Sequence, residues 1–152
     1  TTPNLPEFEG DGGNAGAGTQ VAAAVGFYAP TQLYTPEREL SEVLSFLFGA
    51  SYSEAVARAA SPIEYASPRF PPTLLITGNR DELVPDEASF RMYEALSKAG
   101  APVELHVYAG APHAFDAIPE FGRQCASIVS LFLDRYVASP RPVVVPEAAP
   151  AT

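Results

Sequence analysis

The 152-residue sequence has one cysteine, few basic residues and no long apolar segment, and each shortage excludes a class of protein. Cys125 alone cannot form an internal disulfide, and a single thiolate argues against a metal site built from cysteines. Nine basic residues against 18 acidic ones give a net charge of −9, without the clustered Lys and Arg that nucleic-acid binding needs. Because the longest apolar runs are far shorter than a membrane span, we expect neither nucleic acid nor a membrane as a partner.

An initiating methionine and a leader segment are also absent. Residue 1 is Thr, and no charged-then-apolar signal region follows it. We therefore expect a piece of a longer protein, or a processed product, without its true N-terminus. The absence of a signal or membrane segment from these residues slightly favours a cytoplasmic location.

The composition that remains is that of one folded domain. With 47% apolar residues, a chain of this length can bury a core. The 16 prolines and 11 glycines stay below the roughly 25–30% that marks low-complexity sequences. We expect a glycine-rich irregular segment over residues 1–20, the folded part over 21–137, and a disordered or extended proline-rich tail over 138–152.

Three apolar runs predict strands. Residues 21–28 and 73–77 are continuous apolar runs bounded by turn residues, which is typical of strands buried on both faces. Residues 103–108 alternate between two faces, which predicts a half-exposed strand near a sheet edge. His106 and Tyr108 fall on its polar face, and we expect His106 to be solvated.

Helical periodicity predicts four helices, which cover residues 35–49, 53–59, 86–100 and 119–136. We expect Asp86 to cap the third of them, and Cys125 to lie on the apolar stripe of the last as a small buried hydrophobe. Strands alternating with helices predict an α/β fold with a parallel sheet covered on both faces. Three strands are few beside the mean of about 5–6, so we expect part of the sheet to be missing from this chain.

Ionisable side chains follow two consecutive predicted strands. Asp81 lies in an acid loop (residues 78–85), and His113 lies in a histidine loop (residues 110–116). Because the carboxyl ends of parallel strands meet at one edge of a sheet, we expect these two side chains to meet. An acid fixes the tautomer of a neighbouring imidazole and stabilises its charged form, and the histidine then serves as general base for a nucleophile.

Plainer roles remain open for these residues and their neighbours. Asp81 in a turn can simply accept hydrogen bonds from the backbone, and His113 can be a loop residue without chemistry. Of the other acids, Glu82 is expected to face solvent and Asp116 to start the last helix. Turn and cap roles adequately explain the serines that could substitute for a nucleophile, namely Ser51, Ser53, Ser61 and Ser67.

Several segments, in order, carry a family resemblance: residues 8–14 (FEGDGGN), 26–31 (GFYAPT), 60–63 (ASPI), 78–85 (GNRDELVP) and 101–115 (APVELHVYAGAPHAF). Together they resemble the α/β-hydrolase esterases, in the BD-FAE-like branch that is similar to feruloyl and acetyl-xylan esterases. The resemblance covers roughly residues 7–137. It implies the C-terminal half of an α/β-hydrolase fold, with a mostly parallel sheet of about three strands flanked by helices.

The resemblance implies Asp81 as the acid and His113 as the base of a catalytic triad, a small-molecule ester as substrate, and no metal or organic cofactor. The family places its nucleophilic Ser before the Asp and the His, in a Gly-x-Ser-x-Gly motif that this sequence lacks. We therefore expect the nucleophile and the oxyanion donors upstream of residue 1, and no activity from the chain alone. Ala114 stands where the family usually has Gly.

Other interpretations also fit these residues. The chain can be a non-catalytic, hydrolase-like interaction module, or the C-terminal part of a serine peptidase of the prolyl-oligopeptidase kind, which shares both loops. Phe27 and Tyr28 can line an acyl or aryl pocket, with core packing as the alternative. We expect the chain to need an upstream half, or self-association, to cover the edge of its sheet.

Overall fold

The computed structural model describes residues 12–13, 17–34, 46–49 and 53–143, which are arranged around a small parallel sheet. The sheet has the order β1–β2–β3, with β1 at Ala24–Phe27, β2 at Thr73–Gly78 and β3 at Val103–Tyr108. Both pairs of strands are parallel, so all three carboxyl ends lie at one edge. The predicted α/β class with a parallel sheet is confirmed.

Helices join these strands. Helix α1 covers Glu54–Ala59, α2 covers Glu87–Ala99 and α3 covers Pro119–Leu133, and a π-helical turn, Asp134–Ala138, extends α3. Short 3₁₀ turns occupy Pro62–Tyr65 and Phe115–Ala117. Among the described residues, no helix is both long enough and apolar enough to cross a membrane.

The central strand is buried on both faces, as its continuous apolar run predicts. All six residues of β2 are buried. On one face, Leu74 and Ile76 pack in a cluster with Phe115, Cys125 and Phe132. On the other face, Leu75 packs with residues of α2 and the segment before β2, namely Met92, Leu96 and Phe70. Side chains of a strand alternate between faces, so one apolar run supports two layers of helix.

The outer strands differ from expectation. Strand β1 is shorter than the predicted 21–28, and its residues are half-buried, because within the described chain it pairs with β2 alone. On β3, Tyr108 packs against the cluster beneath α3, and His106 is half-buried instead of solvated. The face of β3 that alternation marks as polar is therefore covered by α3, whereas Val107 on the opposite face is 41% exposed.

Most helix ends follow the local chemistry. Ser53 caps α1 by accepting from the backbone N–H of Val56, and Gly100 ends α2 in a left-handed conformation with φ of 79°. The expected cap by Asp86 is wrong, since its side chain makes no capping hydrogen bond. Asp86 itself has helical φ and ψ, a backbone conformation that does not aim its side chain at the free N–H groups of the first turn.

Parts of the predicted organisation fall outside the described residues. Of the predicted helix over 35–49, the structure describes residues 46–49, of which 46–48 are helical. Most of the glycine-rich segment over 1–20 and the end of the tail, residues 144–152, also fall outside the described part of the chain. Residues 139–143 have no regular structure, and the Arg141 side chain binds Asp134 there.

Candidate functional site

Backbone contacts hold the acid loop and the histidine loop together at the carboxyl ends of β2 and β3. The Asn79 N–H donates to the carbonyl of Tyr108 at 3.1 Å, and the Asn79 side-chain oxygen accepts from the Gly110 N–H at 2.6 Å. The Arg80 N–H donates to the carbonyl of Ala111 at 3.1 Å. These bonds join the two loops directly after their strands, so the loops are positioned relative to each other by backbone atoms.

The Asp81 side chain is fully buried, and both of its carboxylate oxygens have hydrogen-bond partners. Its Oδ1 accepts hydrogen bonds from the backbone N–H groups of Leu83 at 2.9 Å and Val84 at 2.8 Å. Its Oδ2 lies 2.8 Å from Nδ1 of His113. The turn role and the pairing role that the sequence left as alternatives are therefore both present, one on each carboxylate oxygen.

His113 lies at the open end of this pair, with 31% of its side chain exposed. Since Nδ1 faces a carboxylate, which accepts a hydrogen bond when ionised, the neutral imidazole carries its proton on Nδ1. Nε2 then keeps its lone pair and is able to accept a proton. The two side chains meet as their positions after consecutive strands predict, whereas their catalytic role stays a prediction.

Tyr28 follows β1 and lies against the imidazole. The centroids of the Tyr28 and His113 rings are 4.3 Å apart, with the rings tilted by 55°. Its hydroxyl donates a 2.8 Å hydrogen bond to Oδ1 of Asp116, and burial followed by this bond raises the pKa of Tyr28. Phe27 meets Tyr28 edge to face at 6.1 Å between centroids and packs, partly buried, against the cluster beneath α3.

Asp116 has a role that sequence reasoning missed. It lies in the 3₁₀ turn Phe115–Ala117, before α3 begins at Pro119, so its expected role as the starting residue of that helix is wrong. Asp116 accepts instead from Tyr28, a residue 88 positions away along the chain. The available signal was its position in the histidine loop, three residues after His113.

Backbone strain occurs on both sides of the imidazole. Tyr28 has φ of 37° and Ala114 has φ of 57°, and these are the described non-glycine residues in the left-handed region. This conformation is costly for residues with a Cβ and is natural for glycine. It gives a physical reason why Gly fits better than Ala after the histidine.

The competing candidates do not join this pair. Glu82 is exposed, as expected. The pKa of Asp86 is raised by burial and, secondly, by the negative charge of neighbouring Glu87. His106 lines an open cavity of about 180 Å³ with Glu104 and residues of α3. Among the described residues, no three His, Cys, Asp or Glu side chains are grouped as metal ligands.

Of the serines that were expected in turns and caps, Ser53 has a capping role, whereas the Ser61 side chain makes no capping hydrogen bond. Ser53 caps α1, and the buried Ser61 accepts from the Leu33 N–H while its hydroxyl donates to the carbonyl of Ala57. The Ser53 hydroxyl is therefore engaged at its own helix end, and the Ser61 hydroxyl joins the end of α1 to Leu33, 28 positions away.

Comparison with known proteins identifies relatives that are esterases. Over 125 residues, the chain is 34% identical to esterase LipQ of Mycobacterium tuberculosis, a match that covers 77% of this chain and 30% of LipQ. An esterase of Thermogutta terrifontis with bound propionate superposes with a TM-score of 0.70 at 24% identity, over 91% of this chain and 52% of that one. Esterase 2 of the same organism, phosphoramylated by tabun, superposes with a TM-score of 0.62 at 26% identity. That match covers 80% of this chain and 44% of the esterase chain.

The chain thus spans less than a third of LipQ and about half of the two solved esterase chains. The family model named BD-FAE matches residues 1–96, a stretch that includes β1, β2 and Asp81 and ends before His113. That match covers more than half of the chain, and the parallel sheet with its flanking helices has the architecture of part of an α/β-hydrolase. The chain therefore belongs to the BD-FAE family of α/β-hydrolases.

Proposed function

We propose that this chain carries the acid and the base of a serine-dependent carboxylic ester hydrolase. The observation behind the proposal is the 2.8 Å contact between Oδ2 of Asp81 and Nδ1 of His113. The carboxylate is buried and held by two backbone N–H groups, whereas the imidazole is about one third exposed. A fixed acid behind an accessible base is the arrangement that general-base catalysis requires.

In this proposal, Nε2 of His113 takes the proton of a serine hydroxyl as its oxygen attacks the carbonyl carbon of an ester. Asp81 stabilises the resulting imidazolium and keeps the ring in the required tautomer. The imidazolium then gives the proton to the leaving alcohol, and an acyl-enzyme forms. Water, deprotonated by His113, releases the acid and restores the serine.

The serine itself is proposed to come from residues outside this sequence. No Gly-x-Ser-x-Gly motif occurs in the 152 residues, and the hydroxyls of Ser53 and Ser61 are engaged in hydrogen bonds to the backbone. LipQ is much longer than this chain, which supports a proposal in which the catalytic site is completed by further sequence. The chain alone then lacks both a nucleophile and an oxyanion hole, so it has no esterase activity.

The proposed substrate is a small-molecule ester, as the esterase name of the curated relative supports. Phe27 and Tyr28 are proposed to contact its acyl or aryl group, because Tyr28 lies against the imidazole and both rings are half-buried. The partner is proposed to be the remainder of the fold, paired with the outer edge of β1. Self-association at that edge is the alternative.

Hydrolysis of a short-chain aryl ester and labelling by a fluorophosphonate test this function. We expect the chain alone to hydrolyse no faster than its His113→Ala variant. The longer protein that contains it is expected to label at one serine and to lose its turnover in the same variant. Stoichiometric labelling of a serine within residues 1–152 would contradict the proposed external nucleophile.

The coding sequence upstream of residue 1 separates the alternatives. A Gly-x-Ser-x-Gly motif there supports the esterase, and a long β-propeller domain supports a peptidase of the prolyl-oligopeptidase kind. A stop codon supports a non-catalytic interaction module. In that last case, the Asp81–His113 pair has no serine to activate.

A further inference from the structure

The contact between Tyr28 and Asp116 connects the end of β1 to the histidine loop, and the acid and base roles do not explain it. The Tyr28 hydroxyl donates to Oδ1 of Asp116 at 2.8 Å. The same residue places its ring 4.3 Å, centroid to centroid, from the imidazole of His113. One side chain therefore contacts the histidine directly and also holds the loop that carries it.

The two contacts restrain His113 in a direction that Asp81 does not. A single hydrogen bond to Nδ1 fixes the distance to the carboxylate but leaves the ring free to tilt about that bond. The Tyr28 ring lies against the imidazole at an angle of 55°, so it blocks this tilt by steric contact. An imidazole that is restrained at its nitrogen and against its ring keeps Nε2 in one direction.

Strain in the backbone supports a positioning role. Tyr28 and Ala114 both have a left-handed φ, of 37° and 57°. Strained conformations persist only where surrounding contacts determine them, and they are concentrated at functional sites. The Tyr28–Asp116 hydrogen bond joins the two strained segments, because it links the first strained residue to the loop that contains the second. Burial, followed by the bond to Asp116, raises the pKa of Tyr28, so its hydroxyl keeps the proton that it donates.

We propose that Tyr28 is a positioning residue for His113, and that its hydrogen bond to Asp116 is a latch that holds the histidine loop against β1. Both contacts of Tyr28 lie within this chain, whereas a role for them in ester hydrolysis rests on the proposed function. The latch consists of one O–H···O hydrogen bond, from Tyr28 to Asp116, and one contact between the rings of Tyr28 and His113.

NMR of the whole 152-residue chain tests the latch without any need for activity. The chain has two histidines, so His106 serves as an internal reference for the imidazole signals of His113. The variant Tyr28→Phe keeps the ring and removes the hydroxyl. We expect hydrogen exchange at the Ala117 and Ile118 amides to accelerate about fivefold, the factor that corresponds to one ordinary hydrogen bond. We also expect part of the neutral His113 to move its proton from Nδ1 to Nε2, because a ring that tilts turns its Nδ1–H out of line with Oδ2 of Asp81 and weakens the bond that favours this tautomer.

Tyr34→Phe is the matched control. Tyr34 also donates its hydroxyl to a carboxylate, that of Glu64, but it does not contact His113. We expect this variant to leave the His113 signals and the exchange of the Ala117 amide unchanged. Asp116→Asn keeps an oxygen that accepts from Tyr28, so it should behave like the wild type, whereas Asp116→Ala should behave like Tyr28→Phe.

The outcomes decide whether Tyr28 positions His113 or only stabilises the fold. If Tyr28→Phe lowers the melting temperature but leaves the His113 tautomer and the loop exchange at their wild-type values, the positioning role is overturned. A shifted tautomer in this chain supports the latch even if the longer protein proves not to hydrolyse esters. Conversely, an active longer protein whose kcat and KM are both unaffected by Tyr28→Phe supports the proposed function and rejects the latch.

Discussion

Gly78, the last residue of β2, packs against the carbonyl oxygen of Ala111 so closely that a Cβ at position 78 would overlap that oxygen. Ala111 belongs to the histidine loop, and its carbonyl also accepts from the Arg80 N–H at 3.1 Å. A residue without a Cβ is therefore required where the acid loop leaves the sheet. This close approach brings Asp81 within reach of His113.

The variant Gly78→Ala is expected to push the histidine loop away and to destabilise the fold by about 1–3 kcal/mol, the usual cost of overpacking. The Nδ1 proton signal of His113 should weaken at the same time, since the pair with Asp81 loosens. Thermal melts and NMR measure both effects. Gly18→Ala is the control, because a Cβ at position 18 meets nothing within 4 Å. Equal melting temperatures for the two variants would contradict the requirement at position 78.

Ala114→Gly should stabilise the chain. A left-handed φ costs a non-glycine residue about 1–2 kcal/mol, which the substitution relieves. The extra freedom of glycine in the unfolded chain lowers the stability again by about 0.5–1 kcal/mol. The net effect is a stabilisation of up to about 1.5 kcal/mol, measured by urea unfolding. Ala95→Gly is the comparison, because residue 95 lies inside a regular helix, and there the same substitution should destabilise by about 1 kcal/mol. A loss of stability in both variants would show that Ala114 is not strained.

The central strand and the two loops could be predicted because their signals are local. A continuous apolar run that ends at Gly78 marks a buried strand, and turn residues follow it at once. Because the two loops follow consecutive strands of a parallel sheet, Asp81 and His113 could be expected to meet, and the structure shows those strands as neighbours. The packing of α3 could likewise be predicted from its stripe, on which Cys125 is 2% exposed.

The features that could not be predicted depend on contacts between distant segments. Alternation predicts one covered and one exposed face for β3, but both faces are packed: Leu105 lies against the cluster of α2, and Tyr108 lies against the cluster beneath α3. The Tyr28–Asp116 bond spans 88 residues and has no periodic signature. The cap expected at Asp86 was wrong because residue type marks a helix start without fixing the φ and ψ of the capping residue.

Replacement of Asp81 separates its two roles. Asp81→Asn keeps one oxygen for the Leu83 and Val84 N–H groups but presents an amide to His113, which favours the wrong imidazole tautomer. We expect a nearly unchanged melting temperature, a loss of the Nδ1 proton signal, and a fall in kcat of about 10⁴ in the longer esterase. Glu82→Gln removes the charge of the adjacent exposed acid, so it should change neither signal nor rate. A longer enzyme that is equally active with either substitution would reject Asp81 as the acid.

Alkaline pH should destabilise the chain between about pH 10 and pH 12. Burial, followed by the influence of the nearby Cys125 thiol, raises the pKa of Tyr108 to about 12. In the unfolded chain, tyrosine ionises near pH 10, so this contribution to stability is complete below about pH 10 and is lost as pH rises through the folded pKa. Tyr28, whose pKa is also raised, acts in the same direction.

Melting temperatures from pH 8 to pH 12 measure this effect. In Tyr108→Phe the decline between about pH 10 and pH 12 should be shallower, because one of the groups that release a proton on unfolding is gone. Tyr93→Phe, at an exposed tyrosine, should keep the wild-type curve. A wild-type melting temperature that stays constant up to pH 12 would show that Tyr108 ionises equally in the folded and unfolded states.

The outer edge of β1 should govern the behaviour of the isolated chain. The N–H groups of Ala24 and Tyr28 donate to the carbonyls of Pro72, just before β2, and of Ile76 within it. Those of Val25 and Phe27 therefore point away from β2, by the alternation of a parallel pair. Unpaired edge groups invite another strand. Apolar side chains add to this tendency, since Val21 is 54% exposed. We expect the chain either to associate through this edge or to be only marginally folded, and in both cases a second chain that supplies the missing strand should raise its melting temperature.

The variants Val25→Pro and Val25→Ala distinguish association through the unpaired backbone of β1 from association through the valine side chain. Both substitutions remove the valine side chain from the cluster beneath α3, but only proline also removes the outward N–H, and an edge strand tolerates proline at such a position. Light scattering at several concentrations should therefore show less association for Val25→Pro than for Val25→Ala. A sharp, concentration-independent melt from a monomeric wild-type chain would instead show that β1 needs no partner. The chain would then be a self-sufficient module, because a fold that is stable with β1 unpaired has no missing neighbour to recruit.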